Sequence, residues 1–396
     1  MGTFRNVSKA EPCPICGKSD WCSILIPDNA AYPGQLLYVC RRIHSPEAQS
    51  PVNGKTYYYI KELPDSSCLY SDIEKRGRVS EKSFGYTYRP AQEAPAPPAD
   101  YGTIPLPNND LDLIYTDFMN LLCLSKKHYA GLRSERWPKD LIRDSFIRSL
   151  SFPRKFDSVK GFYSDHVERH RICQLLLKKH KTLKGVPGFY QEADLQWTFT
   201  GHPGMLIPIY DTDGMLYRIR LRLDHPGKDE KGKEKDKYKN FSSFYPSKDS
   251  NNILSNEYLN GCRAGSHIGF YFHPSTDDPG VCYITEGEKK AIVANYFLRC
   301  IVISLPGVNS HAKLTKTDKS GRSVLDFLKT LGCKSAVVAY DADKNVNEHV
   351  HRHEKKLVAL LKNHSFHTYI GSWNPGFGKG LDDILVLGVK PQVFPV

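Results

Sequence analysis

The sequence predicts an α/β protein, α+β over its whole length, whose largest domain lies at the C-terminal end. From Val281 onward, apolar runs such as "VCYIT", "CIVISL" and "SAVVAYD" alternate with helical stretches such as "KKAIVANYFL" and "HEKKLVALLKN". This βαβαβαβ order is typical of a parallel sheet flanked by helices. Upstream, "GMLIPIYDTDGMLYRIRLRLD" predicts two strands joined at Asp213-Gly214, a strong hairpin signal. A cysteine-rich start adds a small N-terminal module.

Composition divides the chain into five segments. The first is rich in Cys, Pro and Tyr and has little helical periodicity. The stretch around "PAQEAPAPPAD" predicts an extended linker, because repeated prolines fix φ and remove amide donors. Beyond it, "LDLIYTDFMNLLCLSKKHYAGL" and "WPKDLIRDSFIRSL" place apolar residues at helical spacing. The predicted segments are the cysteine-rich module 1–80, the linker 81–107, the helical section 108–200, the hairpin subdomain 201–275 and the parallel-sheet domain 276–396.

The overall charge indicates the kind of partner. The chain of 396 residues carries a formal net charge of +12. Such an excess of Lys and Arg favours a polyanion, because these side chains replace condensed counterions on a phosphate backbone; a generally basic soluble protein is the alternative. No apolar run has the length needed to cross a bilayer, and the first residues contain no signal-peptide core. We therefore expect a cytoplasmic protein without a membrane partner.

The N-terminal cysteines have the spacing of a metal site. Cys13 and Cys16 form a Cys-x₂-Cys pair followed by glycine, and Cys22 and Cys40 come after it. Four thiolates in this order suit tetrahedral zinc, and so small a module needs such a cross-link in order to fold. His44 is an alternative ligand in place of Cys22, because it follows closely in "CRRIH". Segment 1–80 is thus predicted to be a zinc ribbon.

Three residues beside these cysteines are candidates for nucleic-acid binding. Trp21, Arg41 and Arg42 combine one aromatic ring with two guanidinium groups. Such a set stacks on bases and binds phosphates. A packed tryptophan with two solvated arginines is the equally reasonable alternative.

Acidic residues follow three predicted elements of the C-terminal domain. Glu286 follows "VCYIT", Asp341 and Asp343 follow "KSAVVAY", and Asp382 and Asp383 follow "GKGL". The carboxyl ends of parallel strands lie at one edge of a sheet, so these carboxylates are expected to converge there. Oxygen ligands without His or Cys suit Mg²⁺ or Mn²⁺ rather than zinc. Any one of these groups alone has a simpler explanation as a helix N-cap or a solvated turn.

These motifs carry a family resemblance. "TEGEKKA", "YDADK" and "GKGLDD", each at a predicted strand end, resemble the TOPRIM domain of bacterial-type primases, topoisomerases and some nucleases. The resemblance implies that Glu286 is the acid/base glutamate, and that Asp341 and Asp343 are the metal-binding pair. It also implies that Asp382, with Asp383, is the later acidic group. Lys289, one turn into the following helix, is a candidate phosphate contact.

The preceding segment supplies a basic surface. Arg218, Arg220 and Arg222 alternate with apolar residues in a strand, so they point to one face and make a phosphate-binding stripe. A solvated outer face of the sheet is the alternative. This hairpin and the later "DKYKNF" resemble the primase segment that binds template and nucleotide. The positions that match its Lys-Tyr-x-Asn motif are Lys237, Tyr238 and Asn240.

Other charged groups receive no functional role from the sequence. We interpret His311 and the run His349, His351 and His353 as solvated helix surface rather than as metal ligands. Glu288 is interpreted as a charge at a helix start.

As a whole, the chain resembles primase-like proteins of phages and mobile elements. The resemblance implies a DNA primase that makes short RNA primers from NTPs on single-stranded DNA. Its cofactors would be structural Zn²⁺ and catalytic Mg²⁺ or Mn²⁺. The sequence lacks a Gly-x₄-Gly-Lys-Ser/Thr loop, so unwinding is expected of a separate replicative helicase. The alternatives are a TOPRIM metal-dependent nuclease and a non-catalytic replication accessory protein that binds single-stranded DNA.

Overall fold

The computed structural model contains two compact units, Met1–Ala96 and Pro97–Val396. Each is described by itself. Nearly all of the predicted linker, 81–107, lies outside the described residues, and so does Asp343. The structure describes residues 2–27, 36–63, 67–72, 104–151, 156–157, 162–163, 165–230, 232, 234–244, 246–248, 254–256, 258–276, 278–317, 321–342 and 347–396.

The first unit is built on one antiparallel sheet of six strands in the order β1-β2-β3-β6-β5-β4. Its small core contains three of the four predicted zinc ligands together with Ile24 and Tyr70. So few apolar side chains give limited burial, and small domains of this kind often depend on a metal or disulfide cross-link. The strands are β1 (Gly2–Asn6), β2 (Ser23–Pro27), β3 (Leu37–Cys40), β4 (Glu47–Gln49), β5 (Thr56–Glu62) and β6 (Cys68–Ser71).

The second unit begins with the predicted helices. Phe118, at the centre of the first helix, packs against the rings of Phe189 and Phe199, with centroids 5.1 and 5.0 Å away. Ser125 caps the second helix by accepting a hydrogen bond from the His128 amide. The helices of this region are α1 (Asn108–Asn120), α2 (Lys126–Ser134), α3 (Lys139–Asp144) and α4 (His166–Leu177).

In the described part of the chain, further strands accompany and follow these helices up to residue 271. They are β7 (Arg148–Leu150), β8 (Phe156–Asp157), β9 (Phe162–Tyr163), β10 (Phe189–Gln191), β11 (Trp197–Phe199), β12 (Gly204–Tyr210), β13 (Leu216–Leu223), β14 (Gly227–Lys228), β15 (Glu234–Lys235), β16 (Tyr238–Asn240), β17 (Pro246–Lys248), β18 (Leu254–Asn256) and β19 (Gly269–Tyr271).

The predicted hairpin is confirmed as β12 and β13, which pair antiparallel along their length. Gly214 in the turn has a φ of 76°, a conformation that glycine adopts without strain. The hairpin belongs to a four-stranded sheet in the order β16-β13-β12-β7. Strand β7 comes from the predicted helical section, so that section and the hairpin share a sheet.

The C-terminal part confirms the predicted parallel sheet. Its strand order is β19-β21-β20-β22-β23-β24, and the central pairs β20–β21, β20–β22 and β22–β23 are parallel. The two edge strands, β19 and β24, pair antiparallel. Its later elements are β20 (Val281–Glu286), α5 (Glu288–Leu298), β21 (Ile301–Leu305), a 3-10 helix (Val308–Thr315), α6 (Val324–Thr330), β22 (Ser335–Val338), α7 (Glu348–Asn363), β23 (His367–Ser372), a short 3-10 helix (Pro375–Phe377), α8 (Leu381–Leu385) and β24 (Gln392–Pro395).

Helix α5 packs between the hairpin sheet and the parallel sheet. One apolar core contains Ile207 of β12, Ala291 of α5 and Val302 of β21. Tyr271 of β19 donates a hydrogen bond to the Pro208 carbonyl at 3.0 Å. This shared core holds the basic hairpin against the start of α5, beside the predicted carboxylates. None of the helices in the described part of the chain is long and apolar enough to span a bilayer.

Candidate functional site

The four predicted zinc ligands come together in the first unit. The sulfurs of Cys13, Cys16, Cys22 and Cys40 all lie within 4.8 Å of one another. Tetrahedral zinc with Zn–S bonds of about 2.3 Å separates neighbouring sulfurs by about 3.8 Å, and the Cys16 and Cys22 sulfurs are 3.7 Å apart. The cluster therefore fits a structural zinc ion.

Local backbone geometry prepares this cluster for thiolates. Gly17 has a φ of 71°, and its amide donates to the Cys13 carbonyl at 2.8 Å, which makes the predicted knuckle. The amide of Ile43 points at the Cys40 sulfur from 3.3 Å. Hydrogen bonds from the thiols of Cys13, Cys22 and Cys40 lower the pKa of Cys16 well below its usual range.

His44, the alternative ligand, lies elsewhere. Its Nδ1 is 2.9 Å from the sulfur of Cys68 on β6. The structure therefore favours the four-cysteine set over the set containing His44. Cys68 could have indicated the position of His44, but this cysteine was not included in the predicted zinc-binding motif.

Trp21 and Arg42 are adjacent on the surface of the first unit. The ring of Trp21 is 66% exposed, and the Arg42 guanidinium carbon lies 5.2 Å from its centroid. Arg42 also bonds Asp20 at 2.9 Å, and Arg41 donates to the Trp21 carbonyl. An exposed ring beside two guanidinium groups remains a candidate for base stacking.

In the second unit, a strand-to-helix turn places Glu286 at the edge of the sheet. Glu286 is the last residue of β20, and Gly287 connects it to α5 with a φ of 86°. The Gly287 amide donates to the Leu305 carbonyl at the end of β21, at 2.9 Å. A residue with a Cβ would be strained at this φ, so glycine allows α5 to begin directly behind Glu286.

Lys290 interacts with the predicted carboxylates. It donates a hydrogen bond to Asp341, which follows β22. Burial tends to lower the pKa of Lys290, but the charges of Asp341, Glu286 and Asp382 raise it above its usual value. Three carboxylates from three strand or helix ends thus act on one ammonium group.

The loop before α8 brings Asp382 to this position. The Ala342 amide donates to the Lys379 carbonyl at 2.9 Å, which joins the loop to the residues after β22. A Cβ added at Gly380 would lie 2.3 Å from Asp382 Oδ1 and 3.2 Å from Lys290 Cε. An alanine at this position would therefore displace the Asp382 carboxylate. Burial raises the pKa of Asp382, which the charge of Lys290 opposes.

The carboxylate oxygens at this edge of the sheet are less tightly grouped than the sulfurs of the cysteine cluster. Among the described residues, Glu286, Asp341 and Asp382 do not form a set whose oxygens all lie within 4.8 Å of one another. The Lys290 ammonium bonds Asp341, and the charges of Glu286 and Asp382 also act on it. Asp383 makes a different contact, because its Oδ2 accepts a hydrogen bond from the Gly380 amide at 2.8 Å and caps α8. The metal-binding role of these residues stays a prediction.

Lys289, the predicted phosphate contact, has other neighbours. Its ammonium bonds Glu135 and lies 5.7 Å from the centroid of the Trp137 ring. The next residue, Lys290, is the lysine that faces the carboxylates. Lys379 is also close, with its Nζ 3.7 Å from Asp341 Oδ2 and its side chain 62% exposed.

Glu288 begins α5, as predicted, but its charge also has a partner inside the protein. Glu288 is 2% exposed and pairs with Arg220 of β13, whose Nη2 lies 3.3 Å from Glu288 Oε1. Arg220 also donates to Asn240 Oδ1 on β16 and lies 3.5 Å from the Pro306 carbonyl. The sequence could have indicated that Glu288 is buried, because it precedes the buried Ala291 and Ile292 by three and four residues, on the same helix face.

The predicted arginine stripe is corrected in part. Arg218 and Arg220 are each 8% exposed, so they are engaged inside the protein rather than presented to solvent. Arg218 donates to the Ala264 carbonyl at 2.9 Å. The alternation of the strand was predicted correctly, but the face that carries these arginines is covered by the segment before β19 and by α5.

The rest of the basic set lies closer to solvent. Tyr238 is 41% exposed, and Lys237 pairs with Glu234 at 2.8 Å. Partial burial raises the pKa of Tyr238, Arg222 opposes this rise, and the charges of Asp382 and Glu288 add to it. The charge of Asp382 thus acts on Tyr238, and the role of Tyr238 in binding template or nucleotide stays a prediction.

The histidine run is not uniformly solvated. His353 is 1% exposed, and burial lowers its pKa to about 3. Its ring lies 5.6 Å from that of His311 on the 3-10 helix and 4.6 Å from that of His349. His353 shares the buried face of α7 with Val350 and Leu357, whereas the side chain of His351 is 50% exposed.

Comparison with known families gives one match. Residues 275–390 match a family model described as "Domain of unknown function (DUF3854)". The match covers less than half of the chain and contains Glu286, Asp341 and Asp382. No curated protein sequence matches the chain.

Solved structures of bacterial primases are similar to this chain. The Aquifex aeolicus primase, with zinc-binding and RNA polymerase domains, is 12% identical with a TM-score of 0.42, and the match covers 73% of this chain and 63% of that one. The RNA polymerase domain of Mycobacterium tuberculosis primase DnaG is 13% identical with a TM-score of 0.43, covering 72% and 84%. A Pseudomonas aeruginosa DNA primase domain is 12% identical with a TM-score of 0.40, covering 72% and 80%.

Proposed function

We propose that the chain is a DNA primase, with residues 276–396 as a TOPRIM-type metal-binding domain. The reaction is template-directed synthesis of short RNA primers from NTPs on single-stranded DNA. The observation that carries the proposal is the set Glu286, Asp341 and Asp382 around Lys290 at the carboxyl edge of the parallel sheet. Such an edge is where α/β proteins bind phosphate-bearing ligands and their metal ions.

The donor set suits Mg²⁺ or Mn²⁺. These carboxylates supply only oxygen ligands, and together they attract a cation, since Lys290 already lies among them. Mg²⁺ keeps several of its waters, so the oxygens need not converge as tightly as the cysteine sulfurs do. Asp341, Asp382 and Asp343 would hold the ion. When bound, the ion would neutralise charge on the triphosphate and would activate the attacking hydroxyl.

The remaining residues have distinct roles in this proposal. Glu286 accepts the proton of the primer 3′-hydroxyl as general base. Lys290 holds Asp341 in position through their hydrogen bond, and Lys379, with its side chain 62% exposed, binds the triphosphate. Precise orientation of the hydroxyl and the α-phosphate accounts for much of the rate in such reactions.

Nucleic acid is bound by separate surfaces of the two units. Tyr238 is 41% exposed and offers a ring for a template or nucleotide base. On the first unit, Trp21 stacks a template base and Arg42 beside it adds positive charge. The net charge of +12 supports binding to the phosphate backbone. Unwinding of duplex DNA is assigned to a separate helicase.

Nucleotide incorporation tests the proposal. Full-length protein is incubated with labelled NTPs, single-stranded DNA templates of mixed sequence, and Mg²⁺ or Mn²⁺. We expect metal-dependent oligoribonucleotides, reduced at least about hundredfold by Asp341→Asn, because the loss of one metal ligand removes several kcal/mol of stabilisation. The matched control is Asp144→Asn, which changes an exposed carboxylate paired with its neighbour Arg143.

Other products overturn the proposal in defined ways. Metal-dependent cleavage of the template, without incorporation, would identify a nuclease. Binding of single-stranded DNA with neither product would identify a non-catalytic replication protein. Equal incorporation by Asp341→Asn and the parent would remove the carboxylate edge from the mechanism.

A further inference from the structure

Two histidines and a glutamate converge at the start of α4, in a place that the proposed function does not use. His166 and His170 lie one turn apart on this helix, and Glu192 follows β10. His166 Nδ1 and His170 Nε2 are each 2.9 Å from the same oxygen, Glu192 Oε2. All three ligand atoms lie within 4.8 Å of one another.

The fold fixes these side chains in position. Arg169, between the two histidines, is 1% exposed and pairs with Asp165 at 2.6 Å. The same guanidinium donates to the carbonyls of Phe199, Thr200 and Gly201 at 2.6, 3.0 and 2.8 Å. These bonds tie α4 to the end of β11, the strand that pairs with β10. Glu192 is therefore held opposite the histidines by a rigid support.

The donor set and its spacing suit zinc. Two imidazole nitrogens and one carboxylate oxygen are ligands that zinc accepts, and two histidines at i and i+4 present their nitrogens on one helix face. Tetrahedral bonds of about 2.0 Å separate neighbouring donors by about 3.3 Å. The two distances from the histidine nitrogens to the Glu192 oxygen are 2.9 Å, so each needs to increase by only about 0.4 Å. Small side-chain rotations are enough for this change.

Solvent access leaves room for a fourth ligand. The side chains of His166 and Glu192 are 19% and 32% exposed, whereas that of His170 is 7% exposed. We propose that His166, His170 and Glu192 bind a Zn²⁺ ion whose fourth ligand is water. The ion links α4 to the turn after β10, independently of the cysteine cluster in the first unit.

Another histidine–carboxylate contact in the same unit differs in that it has no second imidazole. His180 bonds Asp117 at 2.9 Å, but the second group on that carboxylate is Lys179 rather than another imidazole. A simple histidine–carboxylate hydrogen bond thus exists in this fold without a third metal ligand. His180→Asn is therefore the matched control for changes at His170.

Metal analysis of the full-length protein tests the proposal. After growth with zinc and exhaustive dialysis, His170→Asn is expected to contain one zinc fewer per chain than the parent, whereas His180→Asn contains the same amount. Cys40→Ser is expected to lose a different zinc ion, so its loss adds to that of His170→Asn in the double variant. An unchanged zinc content in His170→Asn overturns the proposal.

A conservative variant separates metal loss from misfolding. Glu192→Gln keeps the volume and a hydrogen-bond acceptor but removes the anionic ligand. We expect its zinc affinity at this site to fall more than about tenfold, since even outer-shell partners of metal ligands change affinity by that factor. Its unfolding midpoint in zinc-free buffer should match that of the parent. Added zinc should raise the midpoint of the parent more than that of Glu192→Gln, because the cysteine site binds zinc equally in both proteins. Equal stabilisation of both proteins by zinc would refute the assignment.

Discussion

The buried pair between Arg220 and Glu288 gives a prediction of stability with a defined sign. Their charged atoms are 3.3 Å apart, and Glu288 is 2% exposed. At an effective dielectric constant of about 20, this separation corresponds to about 5 kcal/mol of attraction. Arg220→Met leaves Glu288 buried, and no other described residue donates a hydrogen bond to its carboxylate. We expect this variant to lose about 3–5 kcal/mol.

Removing the other partner should cost less. In Glu288→Met, Arg220 keeps Asn240 and the Pro306 carbonyl as hydrogen-bond partners, so a loss of about 2 kcal/mol is expected. The double variant Arg220→Met with Glu288→Met contains no stranded charge. We expect it to be more stable than Arg220→Met alone by about 2–3 kcal/mol, because an apolar pair replaces a buried ion pair at little cost.

Urea unfolding followed by intrinsic fluorescence measures these differences, because Trp137 and Trp373 lie in the core shared with α5. Arg143 and Asp144 form an exposed ion pair that serves as the control. Changing either of these two residues should leave the urea midpoint unchanged. If the double variant loses as much stability as the two single variants added together, the charges are not coupled and the reasoning fails.

Three further predictions concern other parts of the molecule. Chelation of zinc, or Cys40→Ser, should make the first unit sensitive to proteolysis while the second stays resistant; equal resistance of both units contradicts a structural zinc site. Burial lowers the pKa of His353 to about 3. The folded state therefore favours the neutral imidazole. The free energy of unfolding is at its full value above about pH 6.5 and decreases as the pH falls towards 3, by up to about 2 kcal/mol at pH 5. The loss between pH 8 and pH 5 should be smaller in His353→Gln, and equal urea midpoint shifts in both proteins would argue against this. Gly380→Ala places a Cβ 2.3 Å from Asp382 Oδ1 and should reduce incorporation at least about tenfold without a large change in urea midpoint. Gly131→Ala on α2 meets open space and should keep full activity, and equal activity of both variants would show that Asp382 tolerates displacement.

Local patterns in the sequence predicted most of the fold. The turn at Asp213-Gly214, the alternating strands and helices after Val281, and the spacing of Cys13 and Cys16 each depend on residues close together in the chain. Backbone geometry and side-chain period act over such short distances, so these features follow from sequence alone. The positions of Glu286 and Asp341 at strand ends were predicted for the same reason.

The neighbours of each charged side chain were harder to predict. Lys289 and Lys290 are adjacent, and about 100° of helix rotation separates their directions. Only the packing of α5 against β12 and β21 decides that Lys290 faces the carboxylates while Lys289 faces Glu135. Lys289 was predicted as the phosphate contact because position alone does not indicate which face of α5 is covered.

The sequence by itself determined the elements, their order and the ends at which acidic groups occur. The tertiary structure decided which charges are buried and which are paired. Arg220 and Glu288 are 68 residues apart, and His170 and Glu192 are 22 residues apart, so no local period links either pair. Such contacts form only when separate elements share a core, because removing a charge from water is tolerated only where the packed fold supplies its partner.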